Sequence, residues 1–96
     1  MKGKYRASVN GVVKDFDSII KARAFLVKGG LEYMSKHKMD YAGWGIHTVY
    51  PYDYVGTVFF QRTSEGLMIG WGEGIGYIGY SRCWHLNRNG TLGEKV

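Results

Sequence analysis

Cysteine is almost missing from this chain. Cys83 is the only one in 96 residues, which excludes an intrachain disulfide. Also lacking is any apolar run long enough to span a membrane. The start, Met1-Lys2-Gly3-Lys4-Tyr5-Arg6, leads into alternation rather than the apolar stretch of a signal peptide. The expectation is a soluble, cytoplasmic protein that makes no use of a membrane.

Chemistry-bearing spacings are scarce as well. There is no C-x-x-C and no H-x₃-H pattern to gather Cys83, His37, His47 and His85 around a metal. Cys83 and His85 share one face of a strand, but neighbours at i and i+2 are about 6–7 Å apart and do not readily meet as nucleophile and base. The carboxylates are scattered, and no motif pairs two of them for acid–base work. Gly74-Ile75-Gly76-Tyr77-Ile78-Gly79 fits G-x-G-x-x-G, but only seventeen residues follow it and they read as strand. The dinucleotide meaning of that pattern needs a following helix in a βαβ unit. No catalytic residue, metal or cofactor is therefore assigned, and the chain is read as not an enzyme.

Acidic residues are few in the first part. Residues 1–38 carry nine lysines and arginines against three acids, while residues 39–96 carry four against five. Aromatics run the other way, four before residue 39 and eleven after it. A basic first part joined to an aromatic, nearly neutral second part points to an acidic macromolecular partner, protein or nucleic acid. The competing reading is a helix with ordinary solvated lysines.

Elements can be placed in order. Asn10-Gly11 is a hairpin turn signal. It pairs Tyr5 with Phe16, Ala7 with Lys14 and Val9 with Val12 on one face, and Arg6 with Asp15 on the other. Asp17-Ser18 offers an N-cap. Ile20, Ala24, Val27, Leu31 and Met34 form one helical stripe, predicting a helix from Ser18 to about Lys36 that continues through Gly29-Gly30. Lys21, Lys28 and Lys36 lie off that stripe. Strands are expected over Trp44–Tyr50, Val55–Arg62, Leu67–Glu73 and Tyr77–Leu86, with brief pairing at Thr91-Leu92 before a frayed tail. The fold class is α+β: one domain, residues 1–96, with a single antiparallel sheet of about five to six strands in the order ββαββββ and one helix packed on one face.

The most unusual stretch has glycine at every second position from Gly70 to Gly76. In a strand these glycines form one bare face, with Trp71, Glu73, Ile75 and Tyr77 on the other. Such a row marks close approach by another backbone, a ring or a ligand. Gly72 is expected to pack beside the helix glycines, and Gly74 to serve binding near a bend. Tyr80, Arg82, Trp84 and Leu86 are expected to share a face of the last strand, where an Arg between aromatics stacks a base or grips an acidic loop. Gly-Trp-Gly occurs twice, at Gly43–Gly45 and Gly70–Gly72.

The leading functional reading is a small non-catalytic binding protein that occupies a surface of a macromolecular partner. That composition is shared with small inhibitors and accessory proteins, phage-encoded ones among them. The candidate contact residues are Lys21, Lys28, Lys36, Trp71, Gly74, Tyr80, Arg82 and Trp84. One alternative is a nucleic-acid-binding module that joins the basic first part to the aromatic and Arg82 face. Another is a protein that sequesters a small ligand such as a nucleotide. An exposed edge strand also offers pairing with a second copy.

Overall fold

The computed structural model describes residues 4–74 and 80–96. Expectations that fall on 75–79 lie outside the described residues: Gly76 of the glycine row, the start of the last strand at Tyr77, and most of the G-x-G-x-x-G stretch.

Alternation and turn chemistry build the first hairpin as expected. β1 (Tyr5–Val9) and β2 (Val12–Phe16) pair with Tyr5 opposite Phe16, Arg6 opposite Asp15 and Val9 opposite Val12. Asn10 and Gly11 both adopt positive φ, 55° and 77°, as a tight hairpin turn matching the strand twist requires. Arg6 grips Asp15 through two hydrogen bonds, at 2.7 and 3.0 Å.

Ser18 then caps α1 (Ile19–Lys36), its hydroxyl accepting from the Ile20 and Lys21 amides. The helix runs unbroken through Gly29-Gly30. Glycine is required there by close approach: a Cβ at Gly30 would press into the Phe60 ring and lie 3.0 Å from Trp44, and one at Gly29 would press into Val9. At the far end, the Arg62 guanidinium donates to the Met34 carbonyl at 2.8 Å and the Met39 carbonyl at 2.9 Å. The bond to Met34 satisfies a carbonyl in the last helical turn, which has no intrahelical partner, and the bond to Met39 ties down the connection that follows.

The buried helix face differs from the predicted stripe. It comprises Ala22, Arg23, Leu26, Val27, Gly30 and Met34, while Ile20 is 43% exposed. Val27 and Met34 were placed correctly. The face is rotated because it includes an arginine and a glycine, which a count of apolar residues passes over.

The remaining chain is a meander of β3 (Tyr41–Thr48), β4 (Tyr54–Thr63), β5 (Gly66–Glu73), β6 (Arg82–Leu86) and β7 (Leu92–Lys95). With the hairpin it forms one antiparallel sheet in the order β2-β1-β3-β4-β5-β6-β7. The α+β class holds, with seven strands rather than five to six. The seventh exists because the tail pairs with β6, Leu92 opposite Leu86 and Lys95 opposite Trp84. The helix packs on β1, β3, β4 and β2 on one face only. Between helix and sheet, Leu26, Met34, Ile46, Phe60 and Trp71 are fully buried. Among the described residues, no helix is long and apolar enough to cross a membrane.

Candidate binding face

The two Gly-Trp-Gly triplets lie on either side of β4 and in register with each other. Trp44 and Trp71 both stand opposite Val58, Gly43 and Gly70 opposite Phe59, and Gly45 and Gly72 opposite Thr57. Strand alternation therefore sends both tryptophans to the helix side and all four glycines to the other side. The glycine row faces away from the helix. This corrects the expectation that Gly72 packs beside Gly29 and Gly30.

Three aromatic rings cover this helix-free glycine floor. Phe59 stacks with Tyr41 (centroids 6.1 Å, 20° between planes) and with Tyr80 (5.4 Å, 15°). The Tyr41 and Tyr80 hydroxyls close the stack with a 2.9 Å hydrogen bond. The rings lie flat because the floor carries no side chains. A Cβ at Gly70 would press into the Phe59 ring, and one at Gly72 would press into the Tyr80 ring. Phe59, between the Tyr41 and Tyr80 rings, is only 5% exposed.

Beside the stack, His47 lies between two tyrosines. It stacks on Tyr52 (4.8 Å, 10°) and meets Tyr54 at a steep angle (5.9 Å, 64°). A register shift at Ile46/His47 puts Tyr54 directly opposite His47, the re-aiming that a β-bulge produces. The turn that presents Tyr50 and Tyr52 is closed by the Thr48 amide donating to the Asp53 carbonyl at 2.8 Å and the Asp53 amide donating to the Thr48 hydroxyl at 3.0 Å. Tyr41, Tyr50 and Tyr52 are 46%, 84% and 65% exposed. Burial, then the Tyr80 hydrogen bond, raises the Tyr41 phenol above its ordinary pKa, and burial raises that of Tyr54. Both rings therefore stay neutral hydrogen-bonding groups at any physiological pH.

The residues picked out from sequence are scattered by comparison. Lys21, Lys28 and Lys36 are exposed on the helix, across the sheet from the tyrosines. Lys21 pairs with Asp17 at 3.3 Å. Trp71 is 0% exposed beneath the helix and belongs to no surface. Tyr80 parts company with Arg82 and Trp84: its ring packs on Gly72, while Arg82 pairs with Glu73 at 3.1 Å and Trp84 stands opposite Trp71 on the helix side. The expected aromatic–Arg–aromatic row is therefore split between two faces, because β6 begins at Arg82 and alternation does not extend back to Tyr80. Gly74 has a φ of 95° at the bend after β5, with Ser81 against it. Sequence reasoning missed Tyr41, His47, Tyr52 and Phe59. The signal that identifies them is the duplicated Gly-Trp-Gly, once the triplets are aligned across β4.

Cys83 and His85 do share the helix-free face, opposite Gly72 and Gly70. Among the described residues, no three His, Cys, Asp or Glu side chains are placed to hold a metal. One further polar group stands out on the helix side. Arg23 is 6% exposed, lies over the Trp71 ring at 5.0 Å, and its Nε has no hydrogen-bond partner. Trp71 donates instead to Glu73 at 2.9 Å. Compared with known proteins, the chain matches no family model, no curated protein and no solved structure.

Proposed function

We propose that the protein is a small non-catalytic binding protein of the cytoplasm that acts stoichiometrically on a macromolecular partner, and that its contact surface is the helix-free face. One observation carries this reading. A sheet face that no helix covers among the described residues is paved with aromatic rings, with Tyr41 and Tyr52 held in place by stacking and still 46% and 65% exposed. Rigid, amphipathic aromatic residues of this kind dominate the centres of protein interfaces.

Charge placement favours a protein over a nucleic acid as the partner. A single-strand binder needs cations beside its stacking platform to follow the phosphates. Here Lys21, Lys28 and Lys36 sit on the helix, across the sheet from the rings, and the Arg6 cation beside the tyrosines is taken by Asp15. A second reading, sequestration of a small ligand, has its own support in a cleft of about 340 Å³ lined by Arg6, Val13, Gly45, His47 and Tyr52.

The test is capture of partners from lysate by the wild-type protein, with and without nuclease, beside Tyr52→Ala and the triple reversal of Lys21, Lys28 and Lys36 to Glu. Tyr52→Ala should weaken capture about tenfold or more, as loss of an interface anchor does, while nuclease and the charge reversal change little. Capture abolished by nuclease and by the charge reversal, yet indifferent to Tyr52→Ala, would favour the nucleic-acid reading. If no macromolecule is captured and a nucleotide binds with heat released on titration, the small-ligand reading stands instead.

A further inference from the structure

β5 is flanked on both sides along only half its length. Toward β4 its pairing runs from Gly66 to Gly72. Toward β6 it begins only at Gly70, opposite His85. β6 ends at Leu86, and Asn87 turns away to donate its amide to the Thr91 carbonyl at 2.9 Å. The β5 edge from Gly66 to Met68 is thus left open. It forms one wall of a cleft of about 640 Å³, with His85, Leu86, Asn87 and Arg88 opposite and Thr63 and Glu65 at one end.

The peptide groups on that edge have a defined direction. Thr63 and Gly66 pair across the two-residue turn between β4 and β5, so they exchange hydrogen bonds, and alternation turns the Leu67 and Ile69 peptide groups away from β4; Ile69 faces Leu86 beside the Gly70–His85 pair, and Leu67 faces the cleft. No β6 residue pairs with Leu67. An open strand edge is a template for another strand. Among the described residues this stretch carries none of the usual blunting features, neither proline nor lysine nor a bulge.

We infer that this cleft is a docking site for an extended peptide segment of a partner protein, which adds to β5 as a short strand in the line that β6 vacates. Main-chain hydrogen bonds supply affinity in this mode, and alternate side chains supply selectivity. Residues of the incoming strand that point to the helix side meet Leu67 and Ile69, both half-buried, and Leu86, which is buried. Residues that point the other way meet Met68 and His85. Arg88 in the opposite wall selects an acidic side chain and Glu65 at the end disfavours one there, so the peptide chemistry is apolar alternating with an acidic residue facing Arg88. Neither Tyr41 nor Tyr52 lines the cleft, so the inference does not rest on the aromatic-face reading.

The test uses acetyl-Val-Glu-Val-Glu-Val-amide added to the whole isotope-labelled protein, followed by amide NMR and hydrogen exchange. The Leu67 amide should shift, and its exchange should slow about tenfold as new main-chain bonds form. Methylating the central valine nitrogen should weaken binding about tenfold through loss of a main-chain bond. Arg88→Glu should turn the preference toward the corresponding lysine peptide, and Tyr52→Ala should leave peptide binding unchanged. The inference fails if millimolar peptide leaves the Leu67 amide unmoved, or if the methylated peptide binds equally well. It also fails if the Leu67 amide is already protected in a dimer seen by sedimentation, because a second copy would then fill the slot.

Discussion

Replacing Gly72 with alanine tests the packing of the helix-free face most directly. On an open strand this change would stabilise, because glycine in a strand interior costs roughly 0.5–1 kcal/mol relative to alanine. Here the new Cβ would lie 2.5 Å from Tyr80 Cδ2 and 2.7 Å from Cδ1. Those atoms belong to the root of the ring, which cannot swing aside as a flexible tip would. To make room, the ring must lift by about 1 Å, since carbon atoms rest at about 3.5–4.0 Å. Lifting it loosens the Phe59 stack and the Tyr41–Tyr80 hydrogen bond. The stack is worth about 0.5–1.5 kcal/mol and the hydrogen bond a similar amount. After the strand gain is subtracted, Gly72→Ala should destabilise by about 1–2 kcal/mol, within the range for overpacking. Urea unfolding of four proteins (wild type, Gly72→Ala, Tyr80→Ala and the double variant) measures it. In the Tyr80→Ala background the same alanine should be neutral or stabilising, giving a coupling of about 1.5–3 kcal/mol between contacting sites. A coupling near zero, or a Gly72→Ala protein as stable as wild type, would refute the argument that the row exists to seat the Tyr80 ring.

Three further outcomes are expected. Gly11→Val should lose roughly 1 kcal/mol or more in thermal melts, because a β-branched residue resists the positive φ of the turn. Arg23→Met should raise the urea midpoint by an amount equivalent to about 1 kcal/mol, since it removes a buried donor without a partner while keeping the packing on Trp71; a lower midpoint would show that the guanidinium contributes more through its ring contact than it costs. Burial raises the phenol pKa of Tyr41 and Tyr54 above 10.0 in the folded state. The neutral forms are therefore favoured by folding: their contribution is fully present below about pH 10 and is lost as pH rises through the folded values. Tyr41→Phe should remove part of that alkaline loss of stability and the last step of the phenolate absorbance titration, and an unchanged titration would place the late step elsewhere.

Local chemistry was legible in the sequence, and long-range placement was not. Asn10-Gly11 and Ser18 name their own structures, because a turn with two positive φ values and a hydroxyl cap depend on adjacent residues alone. The helix was legible through Gly29-Gly30 because its apolar phase continued. Its exact face was not, since Arg23 is buried by the ring of Trp71, a partner far along the chain. The glycine row was recognised as a site of close approach, but the sequence does not say which face of a strand meets the helix. That choice depends on the tryptophans, whose large apolar area takes the covered side. Tyr41 was not singled out because its ring partner Phe59 comes from another strand, and the pairing of His47 with Tyr52 depends on the turn after β3 and the bulge at Ile46/His47. Tyr80 was grouped with Arg82 and Trp84 by continuing strand alternation back past the point where β6 begins.

The residues that build the candidate face also fix the fold, and this determines where its function can be tested. Side chains alternate with a period of two, so a one-residue slip of β3 or β5 against β4 would turn Trp44 or Trp71 outward and place glycines under the helix. Each tryptophan is held on the covered side by the core: Trp71 beneath Arg23 and against Gly56, and Trp44 against Phe60 and Tyr33. Register and glycine floor are thus one device, used once on each side of β4. Changes at Gly43, Gly45, Gly70, Gly72 or Phe59 will alter pairing and binding together, and loss of partner capture in such variants would not separate the two. Tyr52 stands apart, because it projects from the turn after β3 and its exposed ring is held by His47 alone among the described ring contacts. Its removal should leave register, melting temperature and the Tyr41–Phe59–Tyr80 stack intact. A loss of binding there is attributable to the surface itself.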